Sequence, residues 1–144
     1  MYKRQSNSPS EINKSLFSFG KNLGTSFQLI DDALDYSGST ENLGKNIGDD
    51  FYDGKITLPI IISFEQADEN EKYIWKDIFQ KKIRNEKDLV IAKNLIEKHK
   101  SIDKTLDLAN KYGDDAKKDL SVFNESPIKK GLVNLVDFSL IRDH

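Results

Sequence analysis

Residues 9–37 read PSEINKSLFSFGKNLGTSFQLIDDALDYS. Within this stretch Ile12, Leu16, Phe19, Leu23, Phe27, Ile30 and Leu34 recur at spacings of three and four, which places one apolar stripe along a single long helix. Ser8-Pro9-Ser10-Glu11 opens it as a capping box with proline at the first helical position, and Ser37-Gly38-Ser39 stops it. The same period returns downstream. Residues 38–56 hold four of the eight glycines and lose the period, so a loop is expected there. Thr57, with Pro59 in the first turn, is expected to cap a second helix running to about Ala67. A third covers about 69–84, with Ile74, Trp75, Ile78 and Phe79 on one side. Asn85 caps a fourth that carries Leu89, Ala92, Leu95 and Ile96. A fifth carries Ile102, Leu106, Ala109, Gly113, Ala116, Leu120 and Phe123, and Ser126-Pro127 opens a sixth that is apolar from Ile128 to Ile141. No segment alternates with period two for long enough to make a strand. The expected fold class is all-α, with about six helices.

The first helix also carries Asp31, Asp32 and Asp35. At about 100° per residue, and with Gln28 at zero, Asp31 falls near 300°, Asp35 near 340° and Asp32 near 40°, while the apolar stripe centres near 220°. Gln28 and the three carboxylates therefore share a face away from the stripe. Asp31 and Asp35 lie one turn apart, where like charges repel by a few tenths of a kcal/mol. A hard divalent cation relieves that repulsion, since such ions take oxygen ligands and are held by one or two carboxylates plus substrate phosphates. These residues alone leave a solvated acidic face equally open. The same spacing recurs in Asp49-Asp50-Phe51-Tyr52-Asp53, between Gly48 and Gly54, where a long helix is not expected. Asp114, Asp115 and Asp119, mixed with Lys111, Lys117 and Lys118, read as surface.

The loop is bracketed by Gly44-Lys45 and Gly54-Lys55. Glycine lets a backbone approach an anion, and lysine supplies a compact charge suited to phosphate. From Asp31 to Lys55 there are seven acidic residues and two lysines. Such a segment repels a bare diphosphate but accepts one already wrapped in Mg²⁺. A surface loop with no ligand is the alternative. It is not a P-loop, because Ile56 stands where Ser or Thr is required.

Composition narrows the rest. A chain of 144 residues is about one domain, and its net charge of −2 argues against a nucleic-acid surface. With no cysteine there are no disulfides and no thiolate chemistry, which permits an intracellular, reducing location. Two histidines, His99 and His144, are too few for a His-rich metal site. No apolar run approaches the roughly 20 residues of a membrane span, and MYKRQSNSPS is not followed by the apolar stretch of a secretory signal. Lysines outnumber arginines 19 to 3, a ratio that carries no functional reading.

Taken together, GKNLGTSFQLIDDALDY (residues 20–36) and LGKNIGDDFYDGKITLPII (residues 43–61) resemble the trans-polyprenyl diphosphate synthases, among them the octaprenyl and other long-chain synthases. In that family F-Q-x-x-D-D-x-x-D is the second aspartate-rich motif, and G-K-x-x-G-x-D and G-K-x-T-L-P follow it at this distance. FNESPIKKGLVNLVDFSLIRD resembles the family's C-terminal end. The resemblance covers nearly the whole chain but only the later half of the family's length. Residues 1–144 are therefore expected to be the C-terminal part of a polyprenyl synthetase domain, without the first aspartate-rich motif and the upstream diphosphate-binding residues.

The resemblance implies a helical bundle lined by acidic helices, and a prenyl transfer joining isopentenyl diphosphate to an allylic diphosphate with Mg²⁺. It assigns Asp31 as a Mg²⁺ ligand and Asp35 as a direct or water-bridged one, with Asp32 and Gln28 orienting that shell. Lys45 and Lys55 would bind the allylic diphosphate, and Asp50 would support the metal from behind. Phe27, Leu34, Phe51 and Trp75 are expected in the core, and Arg142 on the surface. The expected location is cytoplasmic, and the expected assembly a homo- or hetero-oligomer, the latter with an N-terminal half polypeptide. A non-catalytic helical partner of a complete synthase, or an inactive remnant, is the alternative. Isolated, the apolar stripes of the first and last helices would be left partly uncovered.

Overall fold

The computed structural model describes residues 9–37 and 47–141, and these contain seven α-helices and no strand. They are α1 (Pro9–Ser37), α2 (Asp49–Tyr52), α3 (Leu58–Gln66), α4 (Glu69–Gln80), α5 (Glu86–Lys98), α6 (Ser101–Asp119) and α7 (Pro127–Leu140), with a 3₁₀ turn at Leu120–Val122. The all-α expectation holds, and a helix stands at each of the six anticipated places. The seventh is the four-residue α2, inside the stretch read as loop. The expected Ser8 cap lies outside the described residues.

Two expectations about helix ends need correction. The third anticipated helix stops at Gln80 rather than about 84, because Lys81 turns extended (φ −69°, ψ 139°) and a new capping box begins at Asn85. Thr57 does occupy the N-cap position of α3 in an extended conformation, but its side chain makes no capping bond. Its Oγ1 is buried without a hydrogen-bond partner.

The described residues divide into two compact units, one made of the chain up to Gln28 and from Leu108 onward, the other of Leu29–Asp107. In the second unit Phe51, Ile60, Trp75, Ile78, Ala92, Leu95 and Ile96 form the core with Tyr36 and Ala67. Trp75 stacks on Phe79 with centroids 6.0 Å apart, and Phe51 meets Tyr36, Tyr52 and Phe79 edge-on. Capping boxes at Asp68/Glu71 and Asn85/Asp88 start α4 and α5. In each, two helix-terminal amides receive side-chain acceptors.

In the first unit Phe19, Ala116, Leu120 and Val136 form a smaller core. Gly113 leaves room for Leu140, whose Cδ1 lies 2.8 Å from where a Cβ would stand. Asp119, expected on the surface, accepts hydrogen bonds from Ser18 (2.8 Å) and Asn22 (2.8 Å) and so ties α6 to α1. This unit also leaves large apolar side chains in solvent: Phe17, Ile128, Phe138 and Ile141 are each at least 66% exposed.

The apolar stripe of α1 is only partly buried. Phe19, Ile30 and Leu34 are inside, as expected, but Leu16 and Phe27 are exposed. In the last two turns Asp32, Ala33, Leu34, Asp35 and Tyr36 are all buried, so the face that carries the aspartates is covered as well. What covers it is the segment around α2. Among the described residues no helix is long and apolar enough to cross a membrane.

Candidate metal centre

Helix α1 ends against α2, and the junction is built by Asp35. Its backbone carbonyl accepts the Gly48 N–H at 2.9 Å, and its Oδ1 accepts the Asp50 N–H at 3.4 Å. A carboxylate held at the first turn of a helix favours the unpaired amides there. Gly48, the N-cap residue, sits at φ +87°, a left-handed conformation open to glycine at little cost. There its Cα faces Leu89, whose Cδ2 would lie 2.9 Å from any added Cβ.

This junction brings three carboxylates together. One oxygen each from Asp31, Asp32 and Asp50 lie within 4.8 Å of one another. Asp32 and Asp50 are buried and Asp31 half-buried. Trans ligands around Ca²⁺ stand about 5 Å apart and around Mg²⁺ about 4 Å, so one hard cation fits among these oxygens, completed by water or phosphate. Lys55 closes one edge. Its amide donates to the Asp50 carbonyl at 2.9 Å, and its mostly exposed ammonium lies 3.4 Å from Asp50 Oδ1. The Tyr36 phenol lies in the same neighbourhood. Burial first, and then Asp35, Asp50 and Asp32, push its ionisation above the ordinary range, so it stays neutral.

The far end of α2 is held by Arg84. Its Nε donates to the Phe51 carbonyl at 2.9 Å, its Nη2 to the Tyr52 carbonyl at 3.4 Å and its Nη1 to the Lys81 carbonyl at 2.7 Å. The guanidinium also lies over the Phe79 ring, 5.4 Å from the centroid. Gly54 turns the chain at φ +79°, and a Cβ there would stand 2.7 Å from Arg84 Nη2.

A model of the polyprenyl synthetase family matches residues 2–97 of this chain. The chain belongs to the polyprenyl synthetase family. It is 34% identical over 132 residues to octaprenyl diphosphate synthase of Haemophilus influenzae, covering 91% of this chain and 40% of that one. It is 33% identical to solanesyl diphosphate synthase 1, chloroplastic, of Arabidopsis thaliana, covering 92% and 31%. A crystal structure of a polyprenyl synthase from Caulobacter crescentus, complexed with calcium and isoprenyl diphosphate, is 39% identical and superposes with a TM-score of 0.86 over 95% of this chain and 42% of that one. The chain thus spans about two-fifths of the length of such relatives, or less.

Within this family member the anticipated site residues have separate fates. Asp31 and Asp32 meet as the motif suggested, and Asp50 joins them directly. Asp35 stands outside that group of three; its Oδ1 accepts the Asp50 amide and its carbonyl the Gly48 amide. Gln28 lies exposed on α1, one turn before Asp31. Lys45 and Arg142 lie outside the described residues. Leu34, Phe51 and Trp75 are core, as expected, but Phe27 is 45% exposed. Asp49 opens α2 and Asp53 follows it, and neither enters the carboxylate group. Arg84 was not anticipated. The order of residues held no signal for it: it is one of three arginines, and its planar fork of donors serves backbone carbonyls where an ammonium does not suffice.

Proposed function

We propose that this chain supplies the second aspartate-rich side of a prenyltransferase, which condenses isopentenyl diphosphate with an allylic diphosphate to make a polyprenyl diphosphate. The convergence of Asp31, Asp32 and Asp50, with Lys55 at its edge, carries this reading. The donors are all carboxylate oxygens, the chemistry that suits Mg²⁺. When bound, Mg²⁺ supplies positive charge to the departing diphosphate.

The chain's own residues would divide the remaining work. Asp31 and Asp32 from α1, and Asp50 from α2, hold the cation. Asp35 fixes Asp50 through its backbone. Lys55 neutralises a diphosphate oxygen at the open edge, and Lys45 adds a second ammonium. Gln28 orients the ligand shell as a neutral hydrogen-bonding group. In the reaction the allylic C–O bond breaks and the diphosphate leaves with the electron pair. The isopentenyl double bond then forms the new C–C bond and loses a proton. Preorganised charge at the leaving group accounts for most of the barrier reduction.

The exposed apolar side chains of α1 and α7 support packing against a complementary N-terminal portion. The proposed setting is the cytoplasm. The test is a Mg²⁺-dependent condensation assay on this chain mixed with a polypeptide that carries the first aspartate-rich motif. Product from the mixture, lost in Asp31→Ala, is expected. No product from any soluble mixture would overturn the reading.

A further inference from the structure

Helix α2 has only four residues, too few to be stable without tertiary support. Yet it must present Asp50 beside Asp31 and Asp32, and Lys55 above Asp50. Asp35 holds only its first turn. We infer that Arg84 is a positioning residue for the site: it clamps the last turn of α2 and so sets where Asp50 and Lys55 stand, although it touches neither carboxylate group nor substrate.

The contacts needed for that role are all present. The guanidinium takes the carbonyls of Phe51 and Tyr52, the two residues that follow Asp50; the Phe51 carbonyl also accepts the Gly54 amide, so Arg84 adds a side-chain donor at the C-terminal end of the helix. Three amides from the same turn fold back beside them: Asp53 to Asp49, Gly54 to Phe51 and Lys55 to Asp50. Arg84 is itself fixed. Its third bond goes to the Lys81 carbonyl, and the Lys81 ammonium is anchored 2.7 Å from Asp88 Oδ1, the buried acid of the α5 capping box. The Phe79 ring backs the guanidinium plane. Helix α5, which follows this connection, supplies Leu89, which packs on Gly48 at the opposite end of α2. One bracket, from Phe79 to Leu89, thus grips both ends of the helix that delivers Asp50. A lysine cannot serve in its place, because an ammonium is a point charge and cannot span two carbonyls in a fixed plane.

The inference rests on the proposed metal site, so its test has one readout that depends on metal and one that does not. Arg84→Gln and Arg84→Lys are compared with the parent chain by amide hydrogen exchange and by Mn²⁺ titration, with Asp50→Asn as the site control. Exchange of the Asp53, Gly54 and Lys55 amides is expected to rise by about tenfold or more in both Arg84 variants, with the Ile78 and Leu95 amides unchanged. Mn²⁺ affinity is expected to fall by about tenfold in the same variants, approaching the loss in Asp50→Asn. Unchanged exchange at those three amides would overturn the inference, as would unchanged Mn²⁺ affinity in a parent chain that binds the ion through Asp50. If the parent chain and Asp50→Asn are alike in taking up no Mn²⁺, it is the proposed function that fails, and the exchange readout decides the role of Arg84 by itself.

Discussion

Glu71 and Asp88 are buried acids in the same unit as Asp32 and Asp50, yet the two pairs are handled in opposite ways. Glu71 sits at the third position of α4, where it bonds the Asp68 amide, Lys98 and His99. The bond from Lys98, ahead of all else, holds its carboxyl well below the usual range, at about 2. Asp88 repeats the pattern in α5 with Asn85 and Lys81, and Lys81 holds its carboxyl low. Each of these acids is matched by a cation. Asp31, Asp32 and Asp50 bring one carboxylate oxygen each within 4.8 Å of one another, with the Lys55 ammonium 3.4 Å from Asp50 Oδ1. Like charges so close oppose folding, whereas the capping acids favour it. Under the proposed function the difference separates scaffold from site, since an arrangement that costs stability persists where a ligand makes use of it.

The sharpest way to break this contrast is to remove one member of the acidic trio. Asp31→Ala in the complemented condensation assay is expected to lower kcat by about 100-fold or more, on the scale of losing one preorganised charge-stabilising group. The same variant without metal should melt no earlier than the parent, because a like charge has gone. An early melt would make Asp31 part of the scaffold.

Next in size is Gly54→Ala. Positive φ and the nearby Arg84 Nη2 both oppose a side chain there. A loss of about 2 kcal/mol is expected in chemical denaturation, since strained backbone of this kind costs roughly 1–3 kcal/mol. Asn85→Ala should cost about 1 kcal/mol through the lost cap of α5. Equal losses from Asn85→Ala and Asp32→Ala in metal-free protein would erase the distinction between the two groups.

A pH dependence is expected as well. The folded Glu71 carboxyl lies at about 2 against an ordinary 4.5, so its contribution is complete above about pH 4.5 and is lost as pH falls from there toward 2. A melting series across that window should decline in the parent and flatten in Glu71→Gln.

Much of this was legible in residue order. The three-and-four spacing located the helices because packing demands an apolar face, and Asn85 and Ser126-Pro127 marked starts by capping chemistry. Asp31 and Asp32 were legible because they share a helix face. Three features were not. The burial of Asp32 and Asp35 depends on α2 folding back onto α1, a contact between segments that no local period encodes. The direct place of Asp50 in the trio depends on Gly48 adopting positive φ, which turns one acid of an apparently redundant D-D-x-x-D toward the other motif. Arg84 acts from more than 30 residues away on backbone carbonyls, which have no sequence identity to read.

Trp75 is the chain's one tryptophan, and it lies in the core of the Leu29–Asp107 unit. Its emission therefore reports on that unit and is silent about the other. Fluorescence and circular dichroism, followed along one denaturant series, give coincident midpoints if both units unfold together and separate midpoints if they do not. The chain carries its own single-site reporter, with no label to attach.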